Sequence, residues 1–273
     1  MKSIIDDITA QLSPLYERDE ARALAWWIAE ELTGKSRTEL LTGCKDTTFS
    51  ADMQIIVSRL LKKEPVQYIF GHCSWCGMDL KLTPATLIPR PETAELVEAV
   101  DAWAKARKTG ALRVLDIGTG SGCIALALKR NHPSWQVTGL DISPEALSVA
   151  RENGCRNGIE VEWIEADILH DRIEEYDLIV SNPPYIAAHE RAEMDSNVLD
   201  YEPERALFVP DDNPLLFYRR IAALKAAPVL FFEINPLFSN AMERMMREEG
   251  YTDITISNDI YGKARILTGR IAQ

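Results

Sequence analysis

No stretch of about 18 consecutive apolar residues occurs in the 273-residue chain, so the simplest signature of a membrane-spanning helix is missing. The first residues, Met1 to Thr9, carry Asp6 and Asp7 and lack the apolar centre of a secretory leader, so a cytoplasmic location is the expectation. Basic residues are scarce: 30 Lys and Arg stand against 42 Asp and Glu, a formal charge of −12. Binding to a phosphate backbone draws on clustered cations that release counterions, and no basic stretch interleaved with aromatics occurs. A protein or small-molecule substrate is therefore favoured, and no stable nucleic-acid partner is expected. The five cysteines, an odd number, argue against a disulfide framework. Cys73 and Cys76 form a C-x-x-C, but Cys44, Cys123 and Cys155 supply no second pair for zinc, so the two read as cysteines packed in a hairpin. The four histidines, His72, His132, His170 and His189, read as surface residues in loops or near strand ends, and no metal is expected.

What is present divides into two styles of patterning. Hydrophobic residues make up 46% of the chain, enough for a sizeable core. Residues 1–64 read as a small helical bundle. Ser13-Pro14 looks like an N-cap with proline at the first helical position. Leu15, Ala23, Leu24, Trp27, Ile28 and Leu32 make the apolar face, and Gly34 stops the helix. Ser36 and Glu39 have capping-box spacing. A further helix starts at Ser50, with Ile55, Ile56, Leu60 and Leu61 on its buried side. Residues 65–84 form a β-hairpin linker, with alternation from Gln67 to Leu82. Residues 85–273 form the main domain. It opens with the proline-stiffened loop Thr86 to Thr93, and a helix follows from Glu92.

From residue 112 strands and helices alternate: strands at 113–117, 136–140, 160–165, 176–181 and 228–234, with helices at 123–130, 144–157 and 213–226 between them. A last helix at 239–249 and strands at 252–257 and 264–268 complete the series. This repetition predicts an α/β doubly wound sheet that receives ligands at the C-terminal ends of its strands.

Three of those ends carry carboxylates. Asp116 closes the first strand and leads into Gly118-Thr119-Gly120-Ser121-Gly122. Glycines let backbone approach a ligand closely. The spacing is D-x-G-x-G-x-G rather than the dinucleotide G-x-G-x-x-G. An acid before the loop repels a pyrophosphate and suits the ammonium of a methionine moiety, which points to S-adenosylmethionine. Asp141 is placed for ribose hydroxyls. Asp167 is placed for an adenine amino group, with Ile168 beside the ring.

The fourth strand runs into Asn182-Pro183-Pro184-Tyr185. A planar NH2 conjugated to a carbonyl or a heteroaromatic ring is a poor nucleophile, because its lone pair is delocalised. Methylating it calls for the nitrogen to be held in place and its hydrogens bound. The Asn182 side-chain oxygen accepts one hydrogen, and the Pro183 carbonyl, fixed by the proline pair, accepts the other. Tyr185 offers a π-face. As positive charge develops on nitrogen, these acceptors stabilise it.

The segments Leu87-Ile-Pro-Arg-Pro-Glu-Thr93, Leu115-Asp-Ile-Gly-Thr-Gly-Ser-Gly122, Ser181-Asn-Pro-Pro-Tyr-Ile186 and Tyr201-Glu-Pro-Glu-Arg-Ala-Leu207 together resemble the PrmC/HemK family of release-factor glutamine N5-methyltransferases. The resemblance spans essentially the whole chain. It implies a Rossmann-like class I S-adenosylmethionine-dependent methyltransferase fold, with a seven-stranded, mainly parallel sheet behind the helical bundle and hairpin. It implies the glutamine of a Gly-Gly-Gln motif in class I peptide-chain release factors as substrate, S-adenosylhomocysteine as product, and a monomer. Cofactor contacts fall on Gly118, Thr119, Gly120, Ser121, Gly122, Asp141, Ile168 and Asn182. Asn182, Pro183, Pro184 and Tyr185 would hold the glutamine amide, Arg90-Pro91-Glu92 would line the mouth, and the bundle would dock the release factor. A ribosomal-protein glutamine uses the same pocket and stays an alternative; a DNA or RNA base amino group is the more distant one. The chain departs from the family pattern at Ala94, where a Glu is usual. It departs again after Glu233, where Ile-Asn-Pro-Leu-Phe replaces a glycine-containing turn.

Overall fold

A computed structural model describes residues 2–43 and 51–271, and the chain divides into two units. The smaller comprises the residues up to Gly71 together with Ser196–Tyr201. Its helices are α1 (Lys2–Leu12), α2 (Arg18–Thr33), α3 (Arg37–Gly43), α4 (Ala51–Leu60) and α5 (Val66–Phe70). Ile5, Ile8 and Leu12 of α1 pack with Leu24, Ala25, Ile28 and Ala29 of α2 and with Val57 and Leu60 of α4. Tyr16 donates its hydroxyl to the Leu60 carbonyl at 2.8 Å, closing the bundle. Gly34 ends α2 in the left-handed conformation, φ 64°, as its position predicts. The Ser36–Glu39 capping box is present, with the Ser36 amide bonded to Glu39 at 2.9 Å.

Several sequence expectations in this unit are corrected. Ser13 caps nothing: its hydroxyl bonds back to the Thr9 carbonyl, and α2 begins only at Arg18. Helix α1 closes just before Ser13-Pro14, so the pair serves as the turn out of one helix. The buried stripe of α2 is Ala21, Leu24, Ala25, Trp26, Ile28 and Ala29, whereas Leu15, Ala23 and Leu32 are exposed. Ile55 and Leu61 are likewise exposed. Gln67 to Phe70 is helical, because Pro65 starts a turn that Gly71 ends at φ 76°. The strand alternation therefore begins at residue 72. Cys44 and Ser50 lie outside the described residues.

The larger unit, residues 72–195 and 202 onward, opens with the hairpin β1 (His72–Trp75) and β2 (Met78–Lys81). Cys73 is buried in β1 and Cys76 sits at the turn. Burial pushes the Cys73 thiol up to about 11, which leaves it unreactive. Then follow α6 (Pro91–Arg107), β3 (Arg113–Ile117), α7 (Cys123–Asn131), β4 (Gln136–Asp141), α8 (Pro144–Asn157), β5 (Glu162–Glu165), β6 (Leu178–Ser181) and β7 (Ile186–Ala187). With α9 the Ser196–Tyr201 helix, the chain continues through α10 (Glu204–Leu207), β8 (Phe208–Val209), α11 (Leu216–Leu224), β9 (Val229–Glu233), α12 (Ser239–Glu248), β10 (Tyr251–Asn258) and β11 (Ala264–Ile271). His132 is not a plain surface residue. Its ring stacks 3.7 Å from that of Trp135, and Nε2 lies 2.8 Å from Asp101.

The described residues form a seven-stranded sheet in the order β10-β11-β9-β6-β3-β4-β5, with β11 alone antiparallel to its neighbours β9 and β10. Alternation along the strands assigns the two faces. Leu115 and Ile117 of β3, and Leu230 and Phe232 of β9, join Tyr218, Ile221, Met242 and Met245 of α11 and α12 in one cluster. The intervening residues face the other helices: Phe231 meets Trp103 of α6 edge-on, and Asp116 accepts the Ala125 amide at the start of α7. By the same alternation Glu233 faces α6. Hairpin β1–β2 packs on α8, where the fully buried Asn153 bonds both backbone groups of Lys81 and, at 2.9 Å, the Ser121 carbonyl.

Candidate active site

Register brings the motifs together. Ile117 pairs with Ser181 on one side and Leu140 on the other, so Gly118, Asn182 and Asp141 leave three adjacent strands at the same level. Glu165 pairs with Asp141, which places Asp167 just beyond. Glu233 ends β9, one strand further, beside Ser181–Phe232.

The loop after β3 turns on Gly118, Gly120 and Gly122, all at positive φ. A Cβ on Gly118 would meet nothing within 4 Å, so the loop presents bare backbone to open space. The amides of Gly118 and Thr119 are tied to the Leu140 carbonyl, and the Gly120 amide to Asp141 Oδ2 at 2.8 Å. Asp116 is fully buried. Its Oδ2 accepts the Thr119 hydroxyl at 2.6 Å and the Ala125 amide at 3.2 Å, while Oδ1 has no partner among the described residues. Burial pushes this carboxyl up to about 7. Asp141 accepts one backbone N–H on each oxygen, from Gly120 and Ser143, which leaves each oxygen a lone pair for a hydroxyl. Burial raises Asp141 as well. Asp167 is drawn into its own turn: Oδ1 accepts the Leu169 amide and Oδ2 faces His170 at 2.7 Å, a bond that holds the carboxyl below its usual range. Ile168 is 7% exposed and lies in the core cluster under the sheet ends.

The backbone cradle, the orphaned oxygen of Asp116 and the spare acceptors of Asp141 fit an adenosyl group carrying an ammonium. A mainly parallel seven-stranded sheet with this acidic glycine loop is the fold of the class I methyltransferases, and S-adenosylmethionine is the cofactor.

Beyond the tetrapeptide lies a polar cluster that sequence reasoning did not assemble. The Asn182 amide nitrogen donates to the Thr93 hydroxyl at 3.3 Å, and Thr93 donates to Glu233 Oε2 at 2.7 Å. Tyr185 donates its hydroxyl to Glu233 Oε1 at 3.1 Å. Among the described residues nothing donates to Asn182 Oδ1 or to the Pro183 carbonyl, so both acceptors stay available. Burial first, and the Glu233 charge next, push the Tyr185 hydroxyl up, so it stays protonated. Pro184 and Tyr185 are half-buried, and Tyr185 packs against the core. The one signal available in the sequence was Glu233 itself, an acid closing the apolar run Val229-Leu-Phe-Phe.

The departure after Glu233 has a structural account. Asn235, 6% exposed, donates to the Tyr185 carbonyl at 3.3 Å and to Glu190, and accepts the Leu237 amide at 3.0 Å. Its φ of −73° needs no glycine. The side chain ties the loop after β9 to the loop after β6. Ala94 is half-buried on α6.

Within the larger unit, the Leu87–Thr93 motif is joined to Glu202 of the last motif. Glu202, its side chain 1% exposed, forms an ion pair with Arg90 and accepts the Ile88 amide at 3.3 Å. The Trp75 indole nitrogen holds the Arg90 carbonyl at 2.9 Å. Removing one partner of a buried pair leaves a charge unmatched. Arg90 is one-third exposed, which moderates the loss, so Arg90→Ala is expected to destabilise the larger unit by about 2 kcal/mol. Urea denaturation reads this directly; an unshifted midpoint would mean the pair does not hold the loop.

Comparison with known proteins agrees with these features. A family profile described as "Methyltransferase small domain" matches residues 94–200, and one described as "PrmC N-terminal domain" matches residues 3–71. The release factor glutamine methyltransferase of Bacteroides thetaiotaomicron is 43% identical, over 98% of this chain and 99% of its own. That of Flavobacterium psychrophilum is 36% identical, over 94% of each. In fold, the chain is similar to the hMettl16 catalytic domain solved with an RNA hairpin, with a TM-score of 0.57 at 16% identity, covering 85% of this chain and 86% of that one. The chain belongs to the release factor glutamine methyltransferase family.

Proposed function

We propose that this enzyme transfers a methyl group from S-adenosylmethionine to the side-chain amide nitrogen of the glutamine in the Gly-Gly-Gln motif of class I release factors. The observation that carries the reading is the pair of available acceptors, Asn182 Oδ1 and the Pro183 carbonyl, one strand away from the acidic glycine loop. Two acceptors match the two hydrogens of a carboxamide NH2. When bound, the cofactor supplies an electrophilic methyl group on a sulfonium. Asp116 and the Gly118–Gly122 backbone, including Thr119 and Ser121, hold its amino-acid end. Asp141 holds the ribose, and Asp167 and Ile168 border the adenine. Asn182 and Pro183 fix the substrate nitrogen and stabilise the charge that grows on it, and Tyr185 and Pro184 flank the flat amide. The helical unit offers the docking surface for the body of the release factor. The enzyme acts as a monomer in the cytoplasm, where that substrate is found. The net charge of −12 supports a protein substrate over a stable nucleic-acid partner. Among the described residues no helix is long and apolar enough to cross a membrane.

The test is incubation with labelled S-adenosylmethionine and full-length release factors, followed by mass mapping of the modified residue. Label on the motif glutamine is expected, and label elsewhere or none would sink the reading.

Asp116 gives a pH dependence. Its carboxyl sits at about 7 in the folded protein against 3.8 for a free side chain. The folded state therefore holds the extra proton between those values, and this group's contribution to stability is lost as pH rises through that window. An ammonium beside it favours the ionised form, so cofactor binding is expected to release a proton and to tighten as pH rises from about 6 to about 8. Calorimetry in buffers of different ionisation enthalpy measures both; an affinity flat in pH with no proton release would remove Asp116 as the ammonium's partner.

A further inference from the structure

We propose that Thr93 is the positioning residue that fixes which way the Asn182 amide faces, with Glu233 holding the Thr93 hydroxyl in the accepting state this requires. The inference rests on the assignment of Asn182 as an acceptor for the substrate amide. An asparagine side chain is nearly symmetric in shape but opposite in chemistry at its two ends. One orientation offers an oxygen to the substrate NH2, and the flipped one sets two donors against two donors. Something in the protein must choose between them.

A single hydroxyl makes the choice here. Thr93 has one proton to give, and Glu233 Oε2 takes it at 2.7 Å. What remains on Thr93 Oγ1 is lone pairs, so only the NH2 end of Asn182 can face it, at 3.3 Å. Oδ1 is thereby turned away and left for the substrate. The second oxygen of Glu233 accepts from Tyr185, so one carboxylate orders both the amide and the ring that flank the substrate. Burial raises the Glu233 carboxyl above its usual range, and the two hydroxyls aimed at its two oxygens act against that, as does the Arg265 charge, so the geometry places both oxygens as acceptors. Thr93 is 3% exposed and Glu233 2%, so water does not replace either contact. The placement follows from the fold: alternation along β9 turns Glu233 toward α6, and Pro91 at the first position of α6 puts Thr93 in its first turn.

The experiment uses the full chain with a full-length release factor as methyl acceptor. Thr93→Val keeps the shape and removes the hydroxyl, and Thr93→Ser restores it. Thr93→Val is expected to lower kcat by about 10- to 100-fold, the effect of stranding one buried polar group, with the KM for S-adenosylmethionine changed by less than about twofold. Thr93→Ser recovers most of the loss. In an Asn182→Asp background both ends of the side chain are acceptors, so adding Thr93→Val is expected to lower kcat by less than about threefold. Should Thr93→Val fail to fold, as read by thermal denaturation and cofactor binding, Thr93→Ala against Thr93→Ser makes the same comparison. Wild-type kcat in the hydroxyl-free variant, no recovery with serine, or an equal penalty in both backgrounds overturns the proposal. Those results presuppose a wild type that methylates the glutamine, so they are distinct from a wild type that does not, which overturns the functional reading itself.

Discussion

Asn182→Ala is expected to lower kcat for methyl transfer by about 10²- to 10³-fold, the range seen when one preorganised polar group is removed from a charge-stabilising site. Among the described residues the side chain donates to Thr93 alone, and it lies at a loop start rather than in the core, so the fold should survive. Truncation removes one of two acceptors for the substrate NH2. The Pro183 carbonyl remains, because it is backbone, and this is why a residual rate is expected rather than none. Cofactor affinity should fall far less than turnover, since Asn182 is one cofactor contact among several and Asp116, Asp141 and the glycine loop are untouched. Single-turnover rates with saturating cofactor and release factor, alongside calorimetric binding of S-adenosylmethionine, separate the two effects. A variant with near-parental turnover would show that Asn182 does not hold the reacting nitrogen.

The cofactor half of the site was far more legible in the sequence than the acceptor half, for a physical reason. Asp116, the glycines and Asp141 are set by local signals: strands ending in acids and a glycine turn. Such signals act over a few residues, and the 113–117 strand and 144–157 helix match the expected bounds. The Thr93–Glu233 bond joins residues 140 apart, and the Arg90–Glu202 pair spans 112. No periodicity encodes partners at that range. The segment after Tyr185 was equally opaque. It folds as short pieces, the two-residue strands β7 and β8 and brief helical turns, too short for any repeat to show. In the bundle, Ile55 and Leu61 had the right chemistry for a core but are exposed, while Ile56, Val57 and Leu60 form the buried side of α4.

Gly122→Ala should be strongly damaging, because it combines backbone strain with a clash. Its φ of +81° is left-handed, which costs a residue with a Cβ about 1–2 kcal/mol. The new methyl would also stand 2.7 Å from Cη2 of Trp163 and 3.1 Å from the Ala150 Cβ. Overpacking of this kind costs about 1–3 kcal/mol. The ring is also held on the Gly139 side, where a Cβ would sit 2.5 Å from the same indole. The combined loss is expected to be about 2–5 kcal/mol in chemical denaturation, together with weakened cofactor binding, because Gly122 joins the loop to α7. Shrinking the indole should recover the steric part and leave the backbone part. If Trp163→Phe restored nothing, the ring would not be the obstacle.

The antiparallel strand β11 sets an order of events during synthesis. It is inserted between β9 and β10, and β10 pairs with no other strand of the sheet. A growing chain therefore releases β10 before anything exists for it to pair with. Glu233, the carboxylate that orders Thr93 and Tyr185, stands opposite Ile266, which leaves the ribosome 33 residues later (266 − 233). At about 5–20 residues per second that gap lasts roughly 2–7 seconds. Throughout it the strands that carry the cofactor carboxylates, β3 to β5, are already complete. The nascent enzyme thus acquires the framework of its methyl-donor pocket first, and the seat for the acceptor amide is finished only when β11 arrives.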